Sequence, residues 1–281
     1  MIKACFRNRV FLSCFILGLM LHIPVAFSMT MKHGVTSVHG VTSTHGVTSV
    51  HGVTSTHGVT STHGVTSTHG VTSTHGVDAI SKLDALYKTL ELDRMGLSDE
   101  AYDLAVQGYL KLKESRNIRK DELLTIIDFS LPSSQKRLFI LDVEAGKVLF
   151  NTYVAHGRGS GKLVAESFSN VPESFQSSVG FYETAGTYNG KNGFSMKLKG
   201  LENGINHKAE ERAIVVHGAP YVSEQFIRQQ GYLGRSHGCP ALPENLNRPI
   251  IEKIKEGSLL FIYSNRTNYV KKSKLIQSTL G

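Results

Sequence analysis

The chain has 281 residues, 40% of them hydrophobic and 19% charged, a balance that excludes a wholly disordered polymer and leaves room for one ordinary domain with accessories. Its formal charge is +8, and setting aside Lys3, Arg7 and Arg9 of an N-terminal leader leaves 28 basic against 23 acidic residues, a net +5. No Lys/Arg stripe interleaved with aromatics and no zinc-finger spacing goes with that excess, which argues against a nucleic-acid partner.

Residues 1–28 have the layout of a secretory signal peptide. Three basic residues precede the apolar run Val10–Leu21, and Ala26-Phe27-Ser28 offers small residues at the −3 and −1 positions of a cut. An uncleaved anchor is the alternative, but His22 and Pro24 interrupt the run, and no other segment is long and apolar enough for a stable span after cleavage. The expected location is therefore the periplasm or cell envelope. Export takes Cys5 and Cys14 away with the leader and leaves Cys239 alone, unable to form an internal disulfide and either a bystander or a working thiol.

Residues 29–77 are dominated by a hexapeptide that starts at His33 and returns at His39, His45, His51, His57, His63, His69 and His75, holding eight of the 13 histidines. With no Leu, Ile, Phe or charge between His33 and Val77, the tract cannot bury a core and reads as a flexible spacer, spanning about 35–40 Å on average. Metal capture by its imidazoles is the competing use. A stacked β-solenoid is disfavoured because each unit carries so little apolar content.

Residues 78–120 change to a helical period. Asp78 is placed to cap a helix carrying Ile80, Leu83, Leu86, Tyr87 and Leu90; Ser98 is placed to cap a second carrying Ala101, Leu104, Ala105 and Leu112. From 121 to 265 the pattern is that of strands: Leu124–Phe129, Arg137–Val143 turning through Glu144–Lys147 into Val148–Ala155, then Val179–Glu183, Ser195–Gly200, Ala213–Val216 and Ser258–Tyr263, with a helix over Leu246–Lys255. The expected fold is mainly β, a sandwich or partly closed barrel with short helices, preceded by a small helical segment that either packs on it or stands apart. Residues 266–281, with Lys271, Lys272 and Lys274, read as a solvated basic tail.

The chemistry gathers late in the chain. Val215-Val216-His217-Gly218 places a histidine at the end of an apolar strand, and eighteen residues on from His217 comes Arg235-Ser236-His237-Gly238-Cys239-Pro240-Ala241-Leu242. A thiol needs a base to become a nucleophile, and an imidazole within reach supplies one. Glycine before the nucleophile permits a tight turn whose amides can converge on an oxyanion. Two decoys are set aside. Gly157-Arg158-Gly159-Ser160-Gly161-Lys162-Leu163 is one residue short of a phosphate loop and reads as a mobile loop over a cleft. His207 with Glu210 and Glu211 lacks zinc-peptidase spacing and reads as a solvated charged turn.

At these residues the sequence resembles the murein L,D-transpeptidase catalytic-domain family of YkuD type, whose signature is His-Gly, a spacer of this length, then Ser/Thr-His-Gly-Cys. The resemblance continues through Val154–Gly157, Phe168–Ser174, Ser177–Tyr182 and Thr187–Gly190, and covers about Asp128 to Tyr263. Common members follow the cysteine with an aliphatic residue and then Arg or Asn; Pro240 and Ala241 here resemble a Gly-Cys-Pro-Ala-Leu branch. The resemblance implies that Cys239 attacks the third residue of a peptidoglycan tetrapeptide stem, with His217 as base and the amides of Gly238 and Cys239, joined by that of His237, as oxyanion hole. Ser236 or His237 would orient His217, a backbone carbonyl being the alternative. Transfer to an amine on a second stem would give a 3→3 cross-link, and no metal or organic cofactor is implied. Arg235 and Arg158 are candidates for the stem carboxylates, with Tyr188, Gly218 and Asn170 as further substrate contacts. An L,D-carboxypeptidase or wall-trimming peptidase with the same site is the second reading, and a non-catalytic envelope or metal-binding protein acting through the repeat is the third.

Overall fold

The chain divides into two compact units, residues 1–68 and 69–281, and the computed structural model describes Val47–Thr48, Thr54–Ser55 and residues 74–277, with side chains from Ser81. In the first unit, β1 (Val47–Thr48) and β2 (Thr54–Ser55) pair antiparallel, Val47 opposite Ser55. The leader and the rest of that unit's repeat lie outside the described residues.

The second unit begins with α1 (Thr74–Thr89) and α2 (Asp99–Ser115). Ser98 caps α2, accepting from the Ala101 amide, and Asp99 and Glu100 sit in its first turn, where the helix dipole favours them. The strands follow as β3 (Leu123–Asp128), β4 (Leu138–Asp142), β5 (Lys147–Thr152), β6 (Gly180–Gly190), β7 (Gly193–Gly200), β8 (Val215–Gly218), β9 (Ala241–Leu242) and β10 (Leu259–Tyr263). They make one eight-stranded sheet in the order β5-β4-β3-β10-β6-β7-β8-β9. Pairing is antiparallel except at β3–β10 and β8–β9. The chain leaving β5 returns to the far edge, since Ala155 bridges Ala241 of β9 and Gly157 bridges Ser236. The sheet therefore curls toward closure, and of the two expected architectures the partly closed barrel is the one formed.

Both faces of the central strands are apolar, which is why β3, β4 and β10 read as unbroken hydrophobic runs. Leu124, Ile126, Phe139, Leu141, Leu259 and Phe261 face one core, shared with Leu86 of α1 and with Leu104, Ala105 and Tyr109 of α2. Their neighbours Ile127, Leu138, Ile140, Leu260 and Ile262 face the other, closed by Ile250, Ile251 and Ile254 of α4 (Glu244–Ile254). The helical segment thus packs on the sheet, the first of the two arrangements open to it.

The C-terminal segment is not a solvated tail. Residues 266–277 carry α5 (Tyr269–Lys272) and α6 (Lys274–Gln277), and Tyr269 and Ile276 are buried in the first core, while Lys271, Lys272 and Lys274 point to solvent. Three lysines give the segment a basic appearance, but the apolar residues between them set the packing. Glu202 anchors the segment from beneath: its buried carboxylate accepts from the Tyr269 hydroxyl (2.9 Å), the Ser273 hydroxyl and the Phe181 amide (2.8 Å). The short α3 (Glu224–Gln230), capped by Ser223, and the two-residue β9 have no counterpart in the strand and helix periods of the sequence.

Candidate active site

His217 stands near the end of β8 because Val215 and Val216 hold that strand in the sheet, Met196 opposite Val216 and Ser195 opposite His217. On its other side β8 runs parallel to β9, with His217 opposite Ala241. Cys239 precedes Ala241 by two residues, in the bend that leads into β9. The turn delivering Cys239 depends on Gly238, whose φ of +124° lies where side chains are rarely tolerated; a Cβ there would also meet Gln176 O at 2.8 Å. Gly157 presses on the same turn, and a Cβ on it would lie 2.8 Å from Gly238 Cα.

His217 Nδ1 lies 2.9 Å from the carbonyl oxygen of Gly218. Donation from Nδ1–H to that oxygen fixes the tautomer and leaves the Nε2 lone pair as the basic position. This carbonyl, and neither Ser236 nor His237, orients the imidazole. Ser236 is occupied in its own turn: its hydroxyl donates to Cys239 O (2.6 Å) and accepts from the Gly238 amide (3.0 Å). The Gly238 N–H is therefore engaged within the turn rather than aimed outward as an oxyanion donor. His237 is exposed and meets the edge of the Phe175 ring, centroids 4.8 Å apart. The resemblance implies orientation of His217 by Ser236 or His237 and oxyanion donation by the amides of Gly238, Cys239 and His237; of these groups, the Ser236 hydroxyl and the Gly238 amide are spent on the turn itself.

Burial sets the protonation states. Cys239 is half-buried, and desolvation pushes its thiol up, opposed by the amides of Val215 and Cys239 and by the guanidinium of Arg212. The thiol donates to Ala213 O, with Sγ 3.7 Å away. Desolvation also lowers His217, against the raising effect of the Gly218 carbonyl. Both shifts favour a resting pair of neutral thiol and neutral imidazole.

The remaining expected contacts scatter. Tyr188 lines a cleft of about 160 Å³ together with Lys197, Glu210, Ala213 and Val215, and the last two residues also border the thiol. Arg158 lies over the Phe175 ring (4.1 Å), while Arg235 lies over Tyr232 (5.7 Å) and donates to Gly161 O (3.2 Å). These cations sit in the two loops that bracket the Cys239 turn. Asn170 points elsewhere: its amide engages His207 Nδ1 (2.9 Å), and it lines a separate depression with Gly204 and Thr267. Gly218 contributes its carbonyl to His217 rather than a surface for a ligand.

The loop read as mobile is tied down at successive residues. Arg158 N donates to Ser236 O, Gly159 N to Phe175 O and Ser160 N to Gly157 O, while the buried Ser160 hydroxyl accepts from Ser177 N. Beneath it, the fully buried Arg137 donates to Val154 O and Leu131 O and contacts His156 Nδ1 at 2.8 Å. Desolvation, with Arg137 alongside, pushes His156 down to about 3, so it stays a neutral acceptor. Its carbonyl takes the Ser236 amide (3.0 Å) and so carries this buried bracing to the Cys239 turn.

Sequence reasoning missed Arg212. It lies five residues before His217, in the charged stretch Glu210-Glu211-Arg212 that reads as a solvated turn, and no spacing distinguishes it. Its guanidinium turns inward, donating to Ser169 O (2.7 Å), Ser178 Oγ (3.2 Å), Ser174 Oγ (3.3 Å) and Gln176 O. Among the described residues, no cluster of three or more His, Cys, Asp or Glu is arranged to hold a metal ion, and no helix is long and apolar enough to cross a membrane.

A family model described as L,D-transpeptidase catalytic domain (YkuD_2) matches residues 93–263 and takes in α2 as well as the sheet. Similar solved structures include an L,D-transpeptidase from Mycobacterium smegmatis, 15% identical over 51% of this chain and 59% of that one (TM-score 0.33). The helical cell shape determining protein Pgp2 from Campylobacter jejuni is 14% identical over 50% and 47% (TM-score 0.33). An L,D-transpeptidase (Yku) from Stackebrandtia nassauensis is 16% identical over 66% and 77% (TM-score 0.32). The chain spans less than two-thirds of the length of the first two. No curated protein sequence matches it.

Proposed function

The chain belongs to the L,D-transpeptidase catalytic domain family, and on that premise we propose that it is an exported enzyme of the cell envelope that acts on peptidoglycan stem peptides through a thioester on Cys239. The observation that carries this reading is the register of β8 with β9, which sets His217 opposite Ala241 two residues after Cys239, together with His217 Nδ1 held by Gly218 O at 2.9 Å and Nε2 left basic. In the first half-reaction His217 Nε2 takes the thiol proton as Sγ attacks the carbonyl carbon of the third stem residue. The S–C bond forms, and the C–N bond to the terminal D-amino acid breaks. The departing amine takes the proton back from His217. In the second half-reaction the amine of a second stem attacks the thioester and gives its proton to His217; the new C–N bond replaces S–C, and the thiol is re-formed. The product is a 3→3 cross-link.

The cleft beside the thiol, with Tyr188, Lys197 and Glu210 on its walls, is the place for the stem, and its mix of cation, anion and aromatic ring suits a peptide carrying both charges. Arg158 and Arg235, held by aromatic faces rather than by carboxylates, are the cations to receive the stem's acidic groups. The test is mass spectrometry of tetrapeptide-rich wall fragments incubated with the mature protein and with Cys239→Ala. Dimers joined through two third-position residues, absent with the variant, are the expected result. Shortened stems without dimers would turn the proposal into a carboxypeptidase, and unaltered fragments with reduced enzyme would overturn it.

A further inference from the structure

Arg212 is bonded to four acceptors in the loop of residues 169–178, and all of them are carbonyls or hydroxyls. Such acceptors satisfy its donors without cancelling its charge. That charge lies directly behind the nucleophile turn, because a Cβ built on Gly238 would stand 3.3 Å from Arg212 Nη2. The gripped loop is strained where it meets the turn. Glu173 (φ 59°) and Phe175 (φ 54°) both occupy the left-handed region, and so does Ala213 (φ 51°), whose carbonyl takes the Cys239 thiol. Left-handed residues other than glycine are strained and persist where their surroundings hold them. Arg212 is the side chain that connects them, being the neighbour of Ala213 and bonded to Ser174 Oγ, next to Glu173 and Phe175, and to Gln176 O.

We propose that Arg212 is a positioning residue for the nucleophile: it locks the 169–178 loop and the Ala213 carbonyl around the Gly238–Cys239 turn, and it keeps a fixed positive charge behind Cys239 that stabilises its anionic states. This rests on the reading of Cys239 as the nucleophile. Around the thiol and Arg212 stand His217 of β8, Tyr221 in the loop beyond it and Tyr182 of β6, with Lys197 and Glu210 on the cleft that Ala213 and Val215 border. Glu210 is the one acid among these, and the four groups that accept from the guanidinium are all uncharged.

The experiment needs no wall substrate. Alkylation of Cys239 by iodoacetamide is followed against pH by mass spectrometry of its peptide, in the full chain, for wild type, Arg212→Gln, Arg212→Lys and the pair Ser174→Ala/Ser178→Ala. Loss of a nearby opposite charge raises the thiol inflection in Arg212→Gln by about 0.5–1 pH unit, slowing alkylation at pH 7.5 about three- to tenfold. Arg212→Lys, which keeps the charge, recovers at least half of that shift. The serine pair loosens the grip but keeps the charge, and leaves the inflection in place. An unmoved inflection in an Arg212→Gln protein that melts in one transition would overturn the proposal. So would an equal shift in the serine pair, which would make packing alone the cause. Should Arg212→Gln fail to fold, Arg212→Lys decides: an inflection within about 0.3 unit of wild type supports the charge role, and a shift of a full unit refutes it. The expected alkylation pattern in a protein that yields no cross-linked or shortened stems would uphold this inference while overturning the proposed function.

Discussion

His217 has a backbone carbonyl where many catalytic histidines have a carboxylate. A carbonyl oxygen at 2.9 Å fixes the tautomer as well as an acid would, but it offers only a partial charge to an imidazolium, too little here to offset burial. The thiol, desolvated in turn, does not compensate by ionising. The pair therefore rests uncharged, and in the proposed mechanism the proton moves when the thiol attacks. The sign follows from the shifts: a histidine whose value lies below its ordinary 6.5 remains a base at mildly acidic pH, and protonation removes activity only below that point. NMR titration of the His217 ring is expected to give a midpoint below 6.5, coinciding with the acid limb of kcat/KM. Replacing Cys239 with Ala should leave that midpoint low, because burial sets it. A resting thiolate–imidazolium pair makes the opposite prediction, a midpoint well above 6.5 that falls when the thiol is removed.

Among the elements, legibility followed length and repetition. The central strands announced themselves because both faces are apolar, so Leu123–Asp128 and Leu259–Tyr263 have no alternating pattern to lose. Strand β9, two residues long, leaves no period to read, yet its parallel pairing with β8 sets Ala241, two residues after Cys239, opposite His217. The C-terminal helices were hidden by their lysines. If Tyr269 and Ile276 hold that segment on the sheet, Ile276→Ala costs about 2–5 kcal/mol, and Tyr269→Phe, which removes a hydroxyl from Glu202, about 1 kcal/mol. A solvated tail predicts no change in either, and urea unfolding distinguishes the two. Glu202 adds a pH signature. Desolvation outweighs its three donors and raises its value, so the native state holds that proton more tightly than the unfolded chain does. Its contribution to stability is then fully present below the unfolded value near 4.5 and is lost as pH rises through the folded one. The melting-temperature gap between wild type and Glu202→Gln should accordingly widen in favour of wild type as pH drops from 7 toward 4.5.

At the scale of the whole molecule, the sequence separates two kinds of information. His217, Cys239 and the strands that carry them are legible because chemistry and periodicity restrict residue choice there. Arg212 and the Gly218 carbonyl are not, because one hides in a run of charges and the other is a backbone atom that every residue possesses. The hexapeptide tract is legible in the opposite sense, through what it lacks: no Leu, Ile or Phe stands between His33 and Val77, and among the described residues both cores are assembled from Leu83 onward. If the unit of residues 69–281 is energetically self-sufficient, excising residues 33–68 should leave the unfolding midpoint unchanged, within about 0.5 kcal/mol of wild type, a surface-level perturbation. Turnover on isolated, soluble wall fragments should be equally unaffected, since reach matters only when the substrate is part of an insoluble network. On intact sacculi the same deletion is expected to slow product formation, more so as the excision lengthens. Equal loss on soluble fragments would mean that the repeat takes part in the chemistry. Loss abolished by chelation, or restored by added zinc, would assign that part to its imidazoles.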